Sequence, residues 1–272
     1  MPAGANIETF LRPIARFGHL FDQVLLMGYP PFVKDVIDEA ESYGVDWKKH
    51  RVRILTAAEG YSEKFRDYFA EKTFIKNRLL DTVNIYGTVE LGTMAHETAF
   101  SNLIRRIAVE RPGVFRALFP DANHLPTLAQ YHPYLVHFEE VNGEVIASGY
   151  GSSIPLLRYR FPDRGGVISF DTMVKLLRDT GIDIFRKAEQ ARIAHTIMKL
   201  PFVYVYDRSD HAVILRGANI YVEEIRNALQ ASVLHPYVTG KFTMLKNGNT
   251  PELKTSFLRV FGNDLQTETA AS

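Results

Sequence analysis

RSDHAVILRGANIYVEEI, residues 208–225, strings together a polar turn (Arg208-Ser209-Asp210-His211), an apolar run over 212–215, a second turn at Arg216-Gly217 and the start of a helix marked by Val222, Ile225 and Leu229. A charged turn that separates two extended segments and leads into a helix has the form of a hinge between subdomains. Taken alone, such a turn is more often only a turn. We place a boundary here, so that residues 207–272 form a hinge and a small α+β module, with strand-like runs at 241–245 and 257–261 around a turn at Asn247-Gly248-Asn249.

Upstream of the hinge, residues 202–206 read as a strand, and 171–198 as two helices broken at Gly181. Asn142-Gly143, which supplies the positive φ angles of a tight turn, joins strands at 134–141 and 144–148. A strand at 154–161 follows, and 161–166 reads as a turn. Residues 121–206 are therefore a β-rich subdomain with a helical insertion at 171–199. Before it, helices and strands alternate. Pro30 opens a helix that Gly44 stops, 51–56 is a strand, Ser62 caps the next helix, and 82–86 is a strand followed by a helix through Phe100, Leu103, Ile104 and Ile107. Residues 1–120 are expected to form a mostly parallel α/β layer with its ligand at the strand ends.

Composition narrows the function less than the motifs do. With 32 Lys+Arg against 31 Asp+Glu, the net charge of +1 gives no electrostatic footprint for nucleic acid or an anionic membrane. The absence of cysteine excludes disulfides and a cysteine nucleophile and suits a reducing cytoplasm. The apolar stretch at 10–28 is broken by Arg12, Pro13, Arg16, His19 and Asp22, so it reads neither as a leader nor as a membrane span. His96-Glu97 lacks the second histidine of a zinc helix.

Three constellations could carry chemistry. Tyr86-Gly87-Thr88-Val89-Glu90 ends a strand with a ring able to stack on a base, a glycine that admits close backbone approach, a hydroxyl for phosphate and a hard oxygen ligand for Mg²⁺. Taken alone, it is more often a glycine turn between strand and helix with a solvated glutamate. In Arg158-Tyr159-Arg160-Phe161-Pro162-Asp163, the carboxylate can accept from two vicinal hydroxyls, or it can pair with Arg160 or Arg164 at the surface. The hinge turn is the third.

Together these elements resemble the adenylate-forming enzymes, and specifically the phenylacetate–CoA ligases. Residues 86–90 resemble that superfamily's Tyr-Gly-x-Ser/Thr-Glu element, and 155–163 resembles its Arg-Tyr-Arg-Thr-Gly-Asp element. Residues 208–225 are similar to the ligases' hinge and following loop, while Gly28-Tyr29-Pro30-Pro31-Phe32 and residues 54–59 resemble a helix entry and an adenine-side Gly-Gly-Glu turn. The resemblance implies an α/β fold: a partial large domain, with an α/β layer and a β-rich subdomain, followed by the start of a small α+β C-terminal domain. It further implies that Tyr86, Ala58, Glu59 and Gly60 flank adenine, that Gly87 and Thr88 lie at the phosphates, and that Glu90 holds Mg²⁺. Asp163 would bind the ribose, Arg208 ribose or phosphate, Asp210 would be the domain pivot, and Arg216 and Gly217 would face CoA. The implied reactants are a small carboxylic acid, ATP and CoA, giving an acyl-adenylate and then an acyl-CoA with AMP, in a cytoplasmic enzyme that is expected to be a homodimer. Adenylation with an acceptor other than CoA, or a non-catalytic nucleotide-binding remnant, are the alternatives.

The sequence also departs from the family. The Gly-rich phosphate loop has no counterpart, and Lys241 reads as a strand residue rather than the family's C-terminal lysine, so the chain is expected to lack both ends of the complete enzyme. Val89 stands in place of a hydroxyl, Phe161-Pro162 in place of Thr-Gly, His211 in place of Asp, and Asp207 in place of Gly.

Overall fold

The computed structural model describes residues 6–150 and 154–208 and, beyond them, 212–215, 218–221, 225, 228–231, 233–234, 237–247, 250–257 and 269–270. Helix α1 (Ile7–Phe17) is capped by Asn6, whose side chain accepts from the Thr9 amide. Strand β1 (Val24–Gly28) leads into α2 (Pro30–Glu39), which starts on two prolines and runs into a 3-10 turn (Ala40–Tyr43) that Gly44 closes with φ +75°. Strand β2 (Val52–Thr56) and α3 (Glu63–Lys72), capped by Ser62, then repeat the unit. After the short α4 (Arg78–Asp81), β3 (Thr82–Thr88) lies parallel to β2, which is parallel to β1. The apolar face of these strands and helices closes on Leu26, Phe32, Val36, Ile54, Phe65 and Phe69.

At Thr88 the sheet changes sense. Strand β4 (Gly92–His96) returns antiparallel to β3 and feeds α5 (Ala99–Glu110), whose start is a reciprocal cap between Thr98 and Ser101. Helix α6 (Pro112–Leu118), β5 (Thr127–Gln130), β6 (Val136–Val141) and β7 (Glu144–Gly149) follow, and the β6–β7 turn has φ +56° at Asn142 and +79° at Gly143. Next come β8 (Leu156–Ile168), α7 (Phe170–Asp179), α8 (Ile184–Gln190) and β9 (Phe202–Arg208). The nine strands form one mixed sheet in the order β1-β2-β3-β4-β5-β9-β8-β7-β6. The expected parallel layer and the antiparallel segment thus share a sheet, with β3–β4 as the junction.

Helices α7 and α8, expected as an inserted pair, seal the main core: Met173, Leu177 and Ile184 pack with Phe100, Ile104, Phe119 and Phe202. Gly181 separates them at φ +79°. Beyond β9, β10 (Ala212–Leu215) and β11 (Ala218–Tyr221) pair antiparallel, and β12 (Val238–Asn247), β13 (Thr250–Phe257) and β14 (Thr269–Ala270) form a second small sheet. The turn expected at Asn247-Gly248-Asn249 falls between β12 and β13, with Gly248 and Asn249 outside the described residues, as are Val222 of the expected helix and the end of the second expected strand, 258–261.

One local expectation is corrected. Residues 161–166 are not a turn, because β8 runs straight through them. Their turn-like composition answers a packing constraint instead. A Cβ on Gly165 would fall 1.9 Å from the Tyr204 carbonyl oxygen, and one on Gly166 2.7 Å from the Tyr204 hydroxyl, so at these two positions β8 approaches Tyr204 of β9 more closely than a side chain would allow. The β8–β9 register also shifts between Arg164 and Gly165. Gly165→Ala should therefore lower stability by about 2 kcal/mol, the usual penalty of forcing atoms into a packed site. Gly113→Ala, where an added Cβ meets nothing within 4 Å, should leave the denaturant midpoint unchanged or raise it.

Candidate functional site

A groove of about 710 Å³ opens where the parallel part of the sheet ends and β8 crosses near it. One wall is Ala57 and Ala58, just past β2; the second is the end of β3 and its turn, from Gly87 to Glu90, with Gly92 and Thr93 of β4; the third is Tyr159 to Asp163 of β8. The C-terminal ends of parallel strands are where α/β sheets receive ligands. Segments separated by dozens of residues thus bring Ala58, Gly87, Thr88, Glu90 and Asp163 to one cleft.

Asp163 is buried, 8% exposed, and its Oδ2 accepts from the Tyr86 hydroxyl at 2.7 Å. The surface-pair alternative does not hold, since Arg160 pairs with Glu144 and Arg164 lies over the Tyr206 ring. The Tyr86 ring is stacked 6.1 Å from Phe138, and Tyr86 is not among the groove-lining residues. Gly87 faces the β4 backbone, where a Cβ would come within 2.2 Å of the Gly92 carbonyl oxygen, so the hairpin itself demands glycine. The Thr88 hydroxyl accepts from the Leu91 amide at 3.2 Å and keeps its own proton to donate. Val89 and Glu90 stand exposed at the turn.

Arg208 ends β9 in register with Asp163, so its backbone lies beside the groove's buried carboxylate. Asp210, Arg216 and Gly217, expected at the pivot and the CoA-side loop, lie outside the described residues, as do Ser209 and His211. Glu59 and Gly60 are not among the groove-lining residues. The Glu59 carbonyl accepts from Asn84 Nδ2 at 3.0 Å, and an added Cβ on Gly60 would meet Thr127 Oγ1 at 2.9 Å. Ala58 holds φ +73°, a left-handed conformation that costs a non-glycine residue about 1 kcal/mol and must be imposed by its surroundings.

Those surroundings form a buried charge network that the sequence reading missed. Arg66 donates Nη2 to both Glu97 oxygens at 2.9 and 2.8 Å and Nη1 to Thr82 Oγ1 at 2.6 Å. Arg105 pairs with the same carboxylate and donates Nη2 to the Tyr61 carbonyl at 2.7 Å. The Asn84 amide donates to Glu97 at 2.9 Å, and Thr56 Oγ1 donates to Asn84 Oδ1 at 3.0 Å. Burial alone would raise the Glu97 carboxyl, but Arg66 and Arg105 outweigh it and hold it below the usual carboxylate range. Burial would lower Arg66, and Glu63 and Glu97 reverse that. Burial also pushes the Tyr61 hydroxyl up to about 12. Ser101, Asn102 and Arg105 look like a solvated stripe on α5, so the pattern gave no sign that the stripe faces β3.

No protein-family model matches the sequence, and no curated protein matches it. Solved structures do. A 2-hydroxyisobutyryl-CoA ligase in the postadenylation state, in complex with R3-HIB-AMP, aligns with a TM-score of 0.59 at 12% identity, covering 91% of this chain and 46% of its own. An anthranilate–CoA ligase in complex with anthranoyl-AMP aligns with a TM-score of 0.54 at 12% identity, covering 97% of this chain and 44% of its own. The chain has the fold of the adenylate-forming ligases. It spans about half the length of the solved structures it matches. Among the described residues no helix is long and apolar enough to cross a membrane, and no group of three or more His, Cys, Asp or Glu side chains could hold a metal.

The network sets an acid limit to stability. Because the folded Glu97 carboxyl sits below its ordinary value of 4.5, its stabilisation is complete above that pH and is lost as pH falls through the lower folded-state value. Glu97→Gln should be less stable at neutral pH and should lose less on acidification than the unaltered protein. Denaturant midpoints measured across the acid range for both proteins check this, since Asp67 and Glu144, shifted in the same direction, contribute equally to each.

Proposed function

We propose that the groove binds an adenine nucleotide and that the chain is the nucleotide-binding part of an AMP-forming acid–thiol ligase of the phenylacetate–CoA ligase type. The observation that carries this reading is the recessed Asp163 carboxylate, oriented by Tyr86, opening on the same cleft as Thr88 and Glu90, with Arg208 in register beside it. A carboxylate held in this way can accept from both ribose hydroxyls, and the Ala58-Glu59-Gly60 turn would border the base. The Thr88 hydroxyl would donate to the α-phosphate.

The reaction joins two anions. A carboxylate oxygen attacks the α-phosphorus of ATP and pyrophosphate leaves; a thiol sulfur then attacks the acyl carbon and AMP leaves, with one proton released. Repulsion between carboxylate and triphosphate opposes the first step, so charge must be screened as it moves onto pyrophosphate. Glu90, the exposed one of the groove's two lining carboxylates, suits Mg²⁺, which typically takes one or two protein carboxylates and substrate phosphates rather than an all-protein cage. Bound there, the ion would supply that screening. Arg208 would add a fixed positive charge, Asp210 would be the pivot between the two steps, and Arg216 and Gly217 would face the thiol donor.

CoA as acceptor is supported by a neighbour of the same fold solved with 2-HIB-AMP and CoA in the thioesterification state. A cytoplasmic homodimer, with divisions at residues 1–120, 121–206 and 207–272, completes the reading. Calorimetry with Mg²⁺-ATP should show binding that Asp163→Ala weakens at least about tenfold. ATP–pyrophosphate exchange over a panel of carboxylic acids, with product trapped in the presence and absence of CoA, should show exchange with at least one acid and thioester only with CoA. Binding without exchange for every acid would reduce the chain to a nucleotide binder.

A further inference from the structure

We infer that the buried Arg66–Glu97–Arg105 cluster is a positioning device for base recognition, fixing the turn at 57–61 against β3 and so the width of the groove's base-side end. The inference rests on the nucleotide reading above. None of the three residues lines the groove, and each is at most 1% exposed, so their effect on a ligand must pass through the turn.

Besides the Ala57 amide's bond to the Gly28 carbonyl and the Ser62 amide's bond to Gln230 Oε1, two clamps hold that turn, and one carboxylate anchors both. Asn84 Nδ2 grips the Glu59 carbonyl while the Asn84 amide donates to Glu97 Oε2. Arg105 Nη2 grips the Tyr61 carbonyl while its Nη1 pairs with Glu97 Oε1. Arg66 orients the carboxylate by donating to both oxygens and ties it to β3 through Thr82, with its guanidinium 4.9 Å from the centre of the Tyr61 ring. Apolar side chains of the same volume would hold sheet and helix together as well as this cluster does, because desolvating charges offsets most of their attraction. What ions add is direction, and here the directions converge on the carbonyls at 59 and 61. The turn needs it: Ala58 is kept at φ +73° and would relax if the clamps were cut.

Arg105→Lys keeps a positive charge beside Glu97 but gives up the planar fork that serves Glu97 and the Tyr61 carbonyl together. Amide hydrogen exchange should speed up across 57–62 while β3 and α5 keep their protection. Affinity for AMP should fall about tenfold, while affinity for ribose 5-phosphate, which has no base, should stay within about twofold. An unmoved turn, or equal loss of both ligands, overturns the inference. If the unaltered protein binds neither ligand, the nucleotide reading fails and the recognition role goes with it; ligand binding that survives with an unmoved turn refutes the positioning alone. Should Arg105→Lys lose protection across the whole sheet, Asn84→Ala removes the other clamp without disturbing a charge: faster exchange confined to 57–62 then supports the positioning role, and unchanged exchange there overturns it.

Discussion

Strand β8 can lie against β9 only because Gly165 and Gly166 leave room for Tyr204, and the architecture of the groove follows from that contact. The pairing places Asp163 opposite Arg208, carries Tyr159 to Asp163 across the mouth of β3, and puts Asp163 within reach of the Tyr86 hydroxyl. A bulky residue at Gly165 would push β8 outward and move the carboxylate away from the cleft it lines. Two missing side chains in one strand thus help determine whether residues dozens of positions apart can face one cleft.

The second constraint is electrostatic. Burying Arg66, Arg105, Glu63 and Glu97 is expensive unless each charge is paired and its remaining donors and acceptors are used. Here nearly every group has a use. Glu97 takes both arginines and a backbone amide, and the arginines extend to Thr82 and to the Tyr61 carbonyl. The charges therefore do what an apolar plug could not, specifying the relative placement of α3, α5, β3 and the turn after β2.

Local chemistry made much of this legible. Asn142-Gly143 required positive φ at two consecutive residues and has it; Ser62, Pro30 and Gly44 marked helix ends that the structure uses. Residues 161–166 misled because Pro-Asp-Arg-Gly-Gly is turn composition, and the reason for the glycines lies in Tyr204, across the sheet. The gathering of Ala58, Thr88, Glu90 and Asp163 was expected from the order of weak motifs rather than from any one of them. The ion network was invisible for a different reason: whether Glu97 meets Arg66, 31 residues earlier, is decided by helix packing, and sequence spacing carries no trace of it.

The departures from the family's motifs have a common physical direction. Val89, Phe161 and Pro162 all line the groove and all stand where the family has a hydroxyl or a glycine. Each replacement removes a hydrogen-bonding group or backbone freedom and adds apolar wall. Phe161, itself buried, also packs edge-on to Tyr159 at 5.6 Å. In a pocket of this kind apolar walls contribute affinity and a few polar groups fix orientation. Because the side chains of Val89, Phe161 and Pro162 carry no hydrogen-bonding group, the polar side chains of that part of the groove's lining are those of Thr88, Glu90 and Asp163. That makes the hydrogen bond from Tyr86 consequential, since it aims the one carboxylate that is recessed and leaves Glu90, in the open turn, free to meet charge from solvent.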